Sequence, residues 1–413
     1  MVARSETYPQ STNPHVVVAA LAAITLFVLA WTALHHGFYQ HKQVLDTPIY
    51  QRYGNAIARG QVPYRDFAVE YPPGALPVFA VPGFAKPGRE QGVTPGFRQT
   101  FESLMWICGA VALIAMAFAL RAERAPPLRV WSALAFAAAA PLAIGSVILS
   151  RFDLWPAAVV AAAVAALASG WWRLGSALLG LAIAIKLYPA VLVPLAVVCG
   201  WKRAGRRGGV IAVVLAVAVV AVVFLPFFVL APHGVWQSIG GQLRRPLQVE
   251  SLGSAVLIAL HHVFGVGVTV ATSHGSQNLA GTGPDVLAAV LTVLQLAFLV
   301  WVWVSFARGR LGLLTAAAAA IAGFIAFGKV LSPQFLIWLI ALAPLVPGRR
   351  GLWATALFGV ALVLTQLWFP FRYWELASDL GPTPSWLVLA RDLVLVALAL
   401  LLAFPERRLA ATR

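Results

Sequence analysis

Side chains that could do chemistry are concentrated in one polar stretch, residues 46 to 74, of an otherwise apolar chain. The stretch carries the acids Asp46, Asp66 and Glu70, and it ends in the sequence Tyr71-Pro72-Pro73-Gly74. Carboxylates can take a proton from a hydroxyl group or accept a hydrogen bond from it. Because such groups are costly to place near a bilayer, we expect the chain to use them.

The composition indicates a membrane-embedded protein. The chain has 413 residues, of which 61% are hydrophobic and 11% are charged, and its mean hydropathy is +0.84. Soluble domains carry about twice that share of charged residues. A net charge of +16 would suit a nucleic-acid partner, but the basic residues lie in short loops between apolar segments, as membrane orientation requires. We predict one integral membrane domain covering residues 1–413 and no nucleic-acid partner.

Ten apolar segments are long enough, or nearly long enough, to cross a bilayer. They are 16–34, 101–120, 130–149, 155–169, 210–230, 285–306, 311–327, 333–346, 352–369 and 385–404. The first is interpreted as an uncleaved span, with a signal peptide as the alternative. Segment 174–198 has basic residues at both ends, which predicts a hairpin broken at Lys186, and segment 252–270 is predicted not to cross. The predicted fold class is an all-α polytopic membrane protein with about ten full spans and a broken hairpin.

The basic loops predict the orientation of the chain. Arginines and lysines cluster at 121–129, 202–207, 308–310, 349–350 and 407–408, which places these loops and both termini in the cytoplasm. The loop of about 35–100 is then extracytoplasmic, and it is too long to be a simple connection. Within it, Thr47-Pro48 predicts the start of a surface helix and Gly60 its end, and segment 74–84 is predicted to dip into the interface.

The motifs of this loop resemble those of a known enzyme family. Asp46 follows the first span, the surface helix ends in Gly60-Gln-Val-Pro63-Tyr64, and Tyr71-Pro72-Pro73 precedes the apolar dip. Two later motifs extend the resemblance, namely Lys186-Leu-Tyr-Pro189 after a glycine-rich helix and Leu331-Ser332-Pro333-Gln334 before a span. Together they resemble glycosyltransferase family 87, polyprenol-phosphate-mannose-dependent mannosyltransferases with the GT-C fold.

The chain also departs from the family pattern at two places. Ser150-Arg151-Phe152-Asp153 stands where many relatives have a Gly-Gln-x-Asn type of turn. Phe335-Leu-Ile-Trp338 replaces the aromatic and histidine residues that often follow the Ser-Pro motif. These departures bear on the donor sugar and the acceptor more than on the fold.

The resemblance implies a role for the first acid of the loop. In the family, the aspartate after the first span is the general base that takes the proton of the acceptor hydroxyl, and this role carries over to Asp46. The alternative is that Asp46 only caps the helix that follows it.

Residues that bind the sugar are expected near this base. The candidates are Glu70, Tyr71, Asp66 and Asp153. Glu70 and Asp66 could equally be solvated loop acids, and Asp153 could form a structural ion pair beside Arg151.

Positive side chains are expected to steady the leaving phosphate. Lys186 is the sharpest candidate, because a lysine between apolar residues at a helix break in a membrane is expected to have a function. The alternative is that its side chain extends to a membrane interface and places the ammonium group there. The remaining candidates, which could also bind lipid headgroups, are Arg244, Arg245, Lys329 and Arg372. Arg391-Asp392 is predicted to form a buried or snorkelling pair. No convincing metal-ligand set is apparent, so no cofactor is expected, with a divalent metal left open.

The expected function is transfer of a sugar from a polyprenyl-phosphate donor to a lipid or glycan acceptor at the extracytoplasmic face of the plasma membrane. The resemblance implies mannose, and arabinose is the alternative sugar. A transporter or lipid flippase is a second interpretation, which predicts inverted repeats with paired broken helices, and only the break at Lys186 fits it. A third is a non-catalytic membrane protein of envelope assembly, in which the loop acids would be dispensable.

Overall fold

The computed structural model describes residues 14–40, 44–85 and 92–404. Nearly all regular structure in these ranges is α-helical, because a bilayer offers backbone groups no partners outside the helix itself. The first eight helices are α1 (Pro14–Ala33), α2 (Thr47–Ala58), α3 (Pro77–Ala85), α4 (Pro95–Ala122), α5 (Pro127–Ile144), α6 (Val147–Ser150), α7 (Leu154–Ala168) and α8 (Trp172–Ile185). The others are α9 (Val193–Leu230), α10 (Pro232–Leu243), α11 (Leu252–Phe264), α12 (Thr282–Ala307), α13 (Leu313–Ala326), α14 (Ile337–Ile340), α15 (Gly348–Trp368), α16 (Tyr373–Asp379) and α17 (Pro382–Ala403).

The all-α polytopic fold class is confirmed. Across the described ranges, seven helices are long and apolar enough to cross a bilayer, and they coincide with seven of the ten predicted spans. The other three segments contain no helix long enough to cross alone. Helix α7 has 15 residues, as many as predicted, α13 has 14 where 17 were predicted, and the segment at 333–346 is divided into three short helical pieces around α14. Most residues of these three segments are buried, so neighbouring helices and not lipid cover them.

The predicted break at Lys186 is confirmed. Helix α8 ends at Ile185, and Lys186 has an extended backbone before a short 3-10 helix, Tyr188–Leu192, leads into α9. Helix α9 itself reverses direction at Ala204 and Gly205, whose φ of +58° is the left-handed conformation that glycine tolerates. The reversal lies in the predicted basic loop, so the chain descends and returns beside α8.

The first loop contains the predicted helix, and its location on the membrane surface stays a prediction. Helix α2 starts at Thr47-Pro48 and ends just before Gly60, whose φ is +80°. The apolar segment that follows forms a 3-10 helix, Pro73–Ala75, and the short helix α3. Helices α2 and α3 pack closely, because Gly54 lets the backbone of Phe79 approach it. Parts of this loop, residues 41–43 and 86–91, lie outside the described ranges, as do both termini with their predicted cytoplasmic location.

A β-hairpin between α11 and α12 was not predicted. Helix α11 has 13 residues, which is too short to cross, as expected for this segment. Strands β1 (Thr269–Ser273) and β2 (Ser276–Ala280) then pair antiparallel around a turn in which His274 and Gly275 both have positive φ. The chain at 247–249 lies beside β2, since Val249 N donates to Gln277 O at 3.0 Å. The hairpin thereby fixes the backbone just before Glu250.

Candidate active site

The aspartate at the start of α2 pairs with a buried arginine from a distant part of the chain. Asp46 Oδ2 contacts Arg151 Nη1, and Tyr50 donates its hydroxyl to the same oxygen at 3.4 Å. Asp46 makes no side-chain cap to α2, so capping does not account for it. The Asp46 side chain is 24% exposed and that of Arg151 only 6%. The result is a carboxylate that solvent can reach, paired with a cation that solvent hardly reaches.

A second ion pair lies at the break between α8 and α9. Lys186 Nζ is 2.6 Å from Asp153 Oδ1, and Trp338 Nε1 donates to the same oxygen at 2.7 Å. The Asp153 side chain is 1% exposed. Asp153 does form an ion pair, but with Lys186 and not with its sequence neighbour Arg151, which pairs with Asp46. Both charged residues of the Ser150–Asp153 departure thus contribute to the two pairs.

Aromatic rings surround the lysine of this second pair. Lys186 Nζ lies 4.9 Å from the ring centre of Phe152, 5.5 Å from that of Phe335 and 5.2 Å from that of Trp338. Tyr188 stacks on Trp338 with a centre-to-centre distance of 3.8 Å. The rings and the carboxylate together stabilise the ammonium group in the interior. Lys186 therefore points inward, and the alternative of a lysine that reaches an interface does not describe it.

The two adjacent arginines after α10 have different environments. Arg244 is exposed and donates from Nε to Gly240 O at 3.2 Å, one turn earlier in the chain. Arg245 turns inward, where burial lowers its pKa while the charges of Glu70 and Glu250 act in the opposite direction. Its Nε is buried and has no hydrogen-bond partner among the described residues. Of the pair, Arg245 is the one placed to meet an anion at the site.

Three further candidates lie at or near the surface with partners of their own. Asp66 pairs with Arg65 at 2.9 Å and accepts from Val62 N, and these bonds lower the pKa of its carboxyl. Arg372 forms an exposed pair with Glu375 at 3.4 Å. Half-buried Lys329 donates to Leu243 O at 3.1 Å. The structure does not bring these three side chains into contact with either buried ion pair.

Glu70 and Tyr71 border the site from the first loop. The Glu70 side chain is exposed and lies beside the turn of the β-hairpin, because a Cβ on Gly275 would be 3.2 Å from its Oε1. Its backbone oxygen accepts from Gln242 Nε2 at 3.1 Å. The ring of Tyr71 packs edge-on against Phe152 with 4.7 Å between ring centres. Tyr71 thus connects the first loop to the residue between Arg151 and Asp153.

A buried glutamate was missed by the sequence analysis as a site residue. Glu250 is 1% exposed, and its Oε2 accepts from Gln248 Nε2 at 2.7 Å and from Ser332 Oγ at 3.2 Å. Its backbone oxygen accepts from Arg391 Nη2 at 2.7 Å. Arg391 also pairs with Asp392 at 2.6 Å, and both side chains are fully buried. Of the two predicted alternatives, a buried or a snorkelling pair, the structure shows the buried one. The only sequence signal for Glu250 is a lone acid between Val249 and Ser251.

These groups form one continuous polar region where several helices begin or end. The charges of Arg151 and Arg245 both act on Glu250, and those of Asp153, Arg151 and Arg245 all act on Lys186. The region therefore offers an accessible carboxylate, Asp46, in contact with the buried Arg151, and further buried or half-buried cations nearby. Such an arrangement can accept a proton on one side and stabilise a developing negative charge on the other. Across the described ranges, no group of three or more metal-ligating His, Cys, Asp or Glu side chains occurs.

Comparison with known proteins gives a family for this arrangement. The sequence model described as Glycosyltransferase family 87 matches residues 69–333, which is well over half of the chain. The match includes Asp153, Lys186, Arg245, Glu250 and Ser332, whereas Asp46 precedes it. No curated protein matches the chain. A match of this extent, on an all-α membrane fold whose polar groups gather where helices end, shows that the chain belongs to glycosyltransferase family 87.

Proposed function

We propose that this membrane glycosyltransferase moves mannose from a polyprenyl-phosphate donor to a lipid or glycan acceptor outside the cytoplasmic membrane. The observation that carries the proposal is the paired arrangement of Asp46 with Arg151 beside Asp153 with Lys186. A proton acceptor and a set of cations are the two requirements for displacing a phosphate from a sugar.

Asp46 is the general base in this proposal. Asp46 and Asp153 are the acids of the two pairs, but the Asp153 side chain is almost fully buried, at 1% exposed. Asp46 is more exposed, so an acceptor hydroxyl can approach it. The hydroxyl oxygen bonds to the anomeric carbon, the bond from that carbon to the phosphate oxygen breaks, and the hydroxyl proton passes to Asp46.

The cations have the complementary task. As the bond to the phosphate breaks, negative charge grows on the leaving polyprenyl phosphate. The charges of Arg151 and Arg245 both act on Lys186, so these three buried or half-buried cations share the region. Positive groups fixed in a poorly solvated site stabilise that charge more than they would in water. Glu70 and Tyr71 border the same region and contact the sugar in this proposal. Asp66, Arg244, Lys329 and Arg372 lie nearer the surface and are assigned to the bound lipid or acceptor.

The placement outside the membrane rests on the charge rule. The start of α8 is close to the basic turn of α9, because a Cβ on Gly170 would be 2.8 Å from Arg203 Nη2. Lys186 follows the other end of α8, so the site and the basic turn are at opposite ends of this hairpin. A basic turn is expected on the cytoplasmic side, which puts the site on the extracytoplasmic side.

Transfer of labelled mannose tests the proposal. Membranes that contain the protein are incubated with labelled polyprenyl-phosphate mannose and, in parallel, with the arabinose analogue, and label in acceptor lipid or glycan is measured. Asp46→Asn keeps the size of the side chain but removes the base, so the rate should fall at least about 100-fold. The matched control is Asp379→Asn, an exposed acid at the end of α16, which should transfer at the wild-type rate.

Two results would count against the proposal. If Asp46→Asn folds, as judged by an unchanged thermal unfolding midpoint in detergent, and still transfers at the wild-type rate, Asp46 is not the base. If the wild-type protein moves label from neither sugar donor, the donor class is wrong.

A further inference from the structure

Glu250 is a buried acid to which the mechanism above gives no role. It lies between the strand-like segment at 247–249 and helix α11, and the β-hairpin fixes its backbone from one side. Arg391 holds its backbone oxygen from the other side at 2.7 Å. A carboxylate fixed so firmly in a poorly solvated region is costly unless its oxygens have partners.

One of the two carboxylate oxygens of Glu250 has no partner among the described residues. Its Oε2 accepts from both Gln248 Nε2 and Ser332 Oγ, while Oε1 is buried and accepts from neither. Gln248 repeats the pattern, because its Nε2 donates to Glu250 and its Oε1 is buried without a partner among the same residues. Two buried acceptor oxygens, on side chains that are hydrogen-bonded to each other, are therefore left without partners among the described residues.

Unused donors lie close to these acceptors. The Nε atoms of Arg151 and Arg245 are buried without hydrogen-bond partners in the described part of the chain. The charges of both guanidinium groups act on Glu250. Arg151 also contacts Asp46, so the same guanidinium group pairs with the proposed base and acts through its charge on Glu250. Fixed acceptors next to fixed donors match a sugar hydroxyl, which donates one hydrogen bond and accepts others.

We infer that Glu250 and Gln248 bind a hydroxyl group of the sugar that is being transferred, and that Ser332 orients the Glu250 carboxylate for this contact. The inference rests on the proposed function for the identity of the sugar lipid. It gives the site a specificity-determining group, because a buried acceptor left unpaired by an analogue without the hydroxyl makes that analogue bind poorly. The inference also gives a role to Ser332, the serine of the Ser-Pro motif that precedes the segment at 333–346.

Equilibrium binding tests the inference without requiring turnover. The dissociation constants of polyprenyl-phosphate mannose and of its 2-, 3-, 4- and 6-deoxy analogues are measured with the full-length protein in detergent. For one analogue, the wild-type protein should bind about 10- to 100-fold more weakly than it binds the parent, as expected for a lost hydrogen bond to a charged group. In Glu250→Gln and Glu250→Met, the same deoxy analogue should bind no more than about 3-fold more weakly than the parent. The reason is that these variants lack the charged acceptor for either ligand.

Controls separate binding from structure. Asp379→Asn should keep the full wild-type discrimination. If the Glu250 variants weaken the parent and all analogues equally, Glu250 only supports the fold and the inference is overturned. If neither Glu250 variant folds, Ser332→Ala provides the measurement, and it should reduce the discrimination for the same analogue only. Unchanged discrimination in Ser332→Ala overturns the inference.

The proposed function and this inference fail in different ways. Absence of transfer by a protein that binds the sugar lipid with hydroxyl discrimination contradicts the function alone. Transfer at normal rates, with no analogue discriminated against, contradicts the hydroxyl site alone. A protein that binds none of these lipids contradicts both.

Discussion

Replacement of Gly74 by alanine should disable the site without altering any charged group. A Cβ on Gly74 would lie 2.6 Å from the carbonyl oxygen of Ala184 and 2.9 Å from the nitrogen of Ile185. Both atoms belong to the backbone at the end of α8, so no side-chain rotation can relieve the contact. Ordinary contacts of a Cβ begin at 3.4 Å, so the two segments must separate by about 0.8 Å.

Separating the two backbones would displace both residues of the second ion pair, Lys186 and Asp153. Lys186 follows Ile185 directly, and its Nζ is 2.6 Å from Asp153. On the other side, Trp155 Nε1 donates to Gly74 O at 3.1 Å, two residues beyond Asp153. Overpacking of this kind costs about 1–3 kcal/mol of stability. Misplacing positioned groups by about 1 Å lowers a rate by about 100-fold. We therefore expect Gly74→Ala to lower the thermal unfolding midpoint and to slow transfer by about 100-fold.

The labelled-mannose assay and thermal unfolding in detergent measure both effects. The matched control is Gly283→Ala in the first turn of α12, where an added Cβ would meet nothing within 4 Å. Alanine favours a helix more than glycine does, so the control should transfer at the wild-type rate with an equal or higher midpoint. A wild-type rate and midpoint for Gly74→Ala would refute the reasoning, because the close contact at Gly74 would then not hold Lys186 in place.

Two further predictions concern buried charges. Lys186→Met leaves Asp153 buried with Trp338 as its hydrogen-bond donor, so it should destabilise the protein by about 3 kcal/mol or more. The control is Lys329→Met, at a half-buried lysine that has no acid partner among the described residues, and equal unfolding midpoints of the two variants would contradict the prediction. Burial raises the pKa of Glu250 from 4.5 to about 7, although Arg391, Ser332, Arg151 and Arg245 act to lower it and the Tyr373 hydroxyl lies near. Because the folded state holds this proton more tightly than the unfolded chain, stability should fall as the pH rises from about 4.5 to about 7, by about 3 kcal/mol in total. Unfolding midpoints of wild type and Glu250→Gln measured between pH 4 and 8 check this, since the variant should lack that part of the pH dependence, and parallel curves would contradict it.

Local sequence signals predicted the features that have local causes. The start of α2 at Thr47-Pro48 and its end before Gly60 follow from the restricted backbone of proline and the freedom of glycine. The break at Lys186 follows from basic residues at both ends of one apolar segment and from Pro189. Seven spans were found in the same way, from apolar length alone.

Features that depend on helix packing were not predictable from the sequence. Helices α7 and α13 are too short to cross a bilayer, and other helices cover almost all of their surface. The strands of the β-hairpin are short and partly polar, and β2 also forms backbone hydrogen bonds with the neighbouring segment at 247–249. Neither the burial of these helices nor the pairing of the hairpin produces a periodic pattern in the sequence, because each depends on the segments that pack against it.

The candidate site shows the same division. Residue types and the positions of apolar segments were enough to predict a polytopic membrane protein with candidate acids in one long loop and a candidate lysine at a helix break, because apolar length and loop charge are properties of the chain itself. Only the tertiary structure decided that Asp46 pairs with Arg151, that Asp153 pairs with Lys186, and that Glu250 lies among the arginines. A charge buried near a membrane must have a partner, but its choice depends on which helix ends meet in space, and that follows from the packing of the whole bundle.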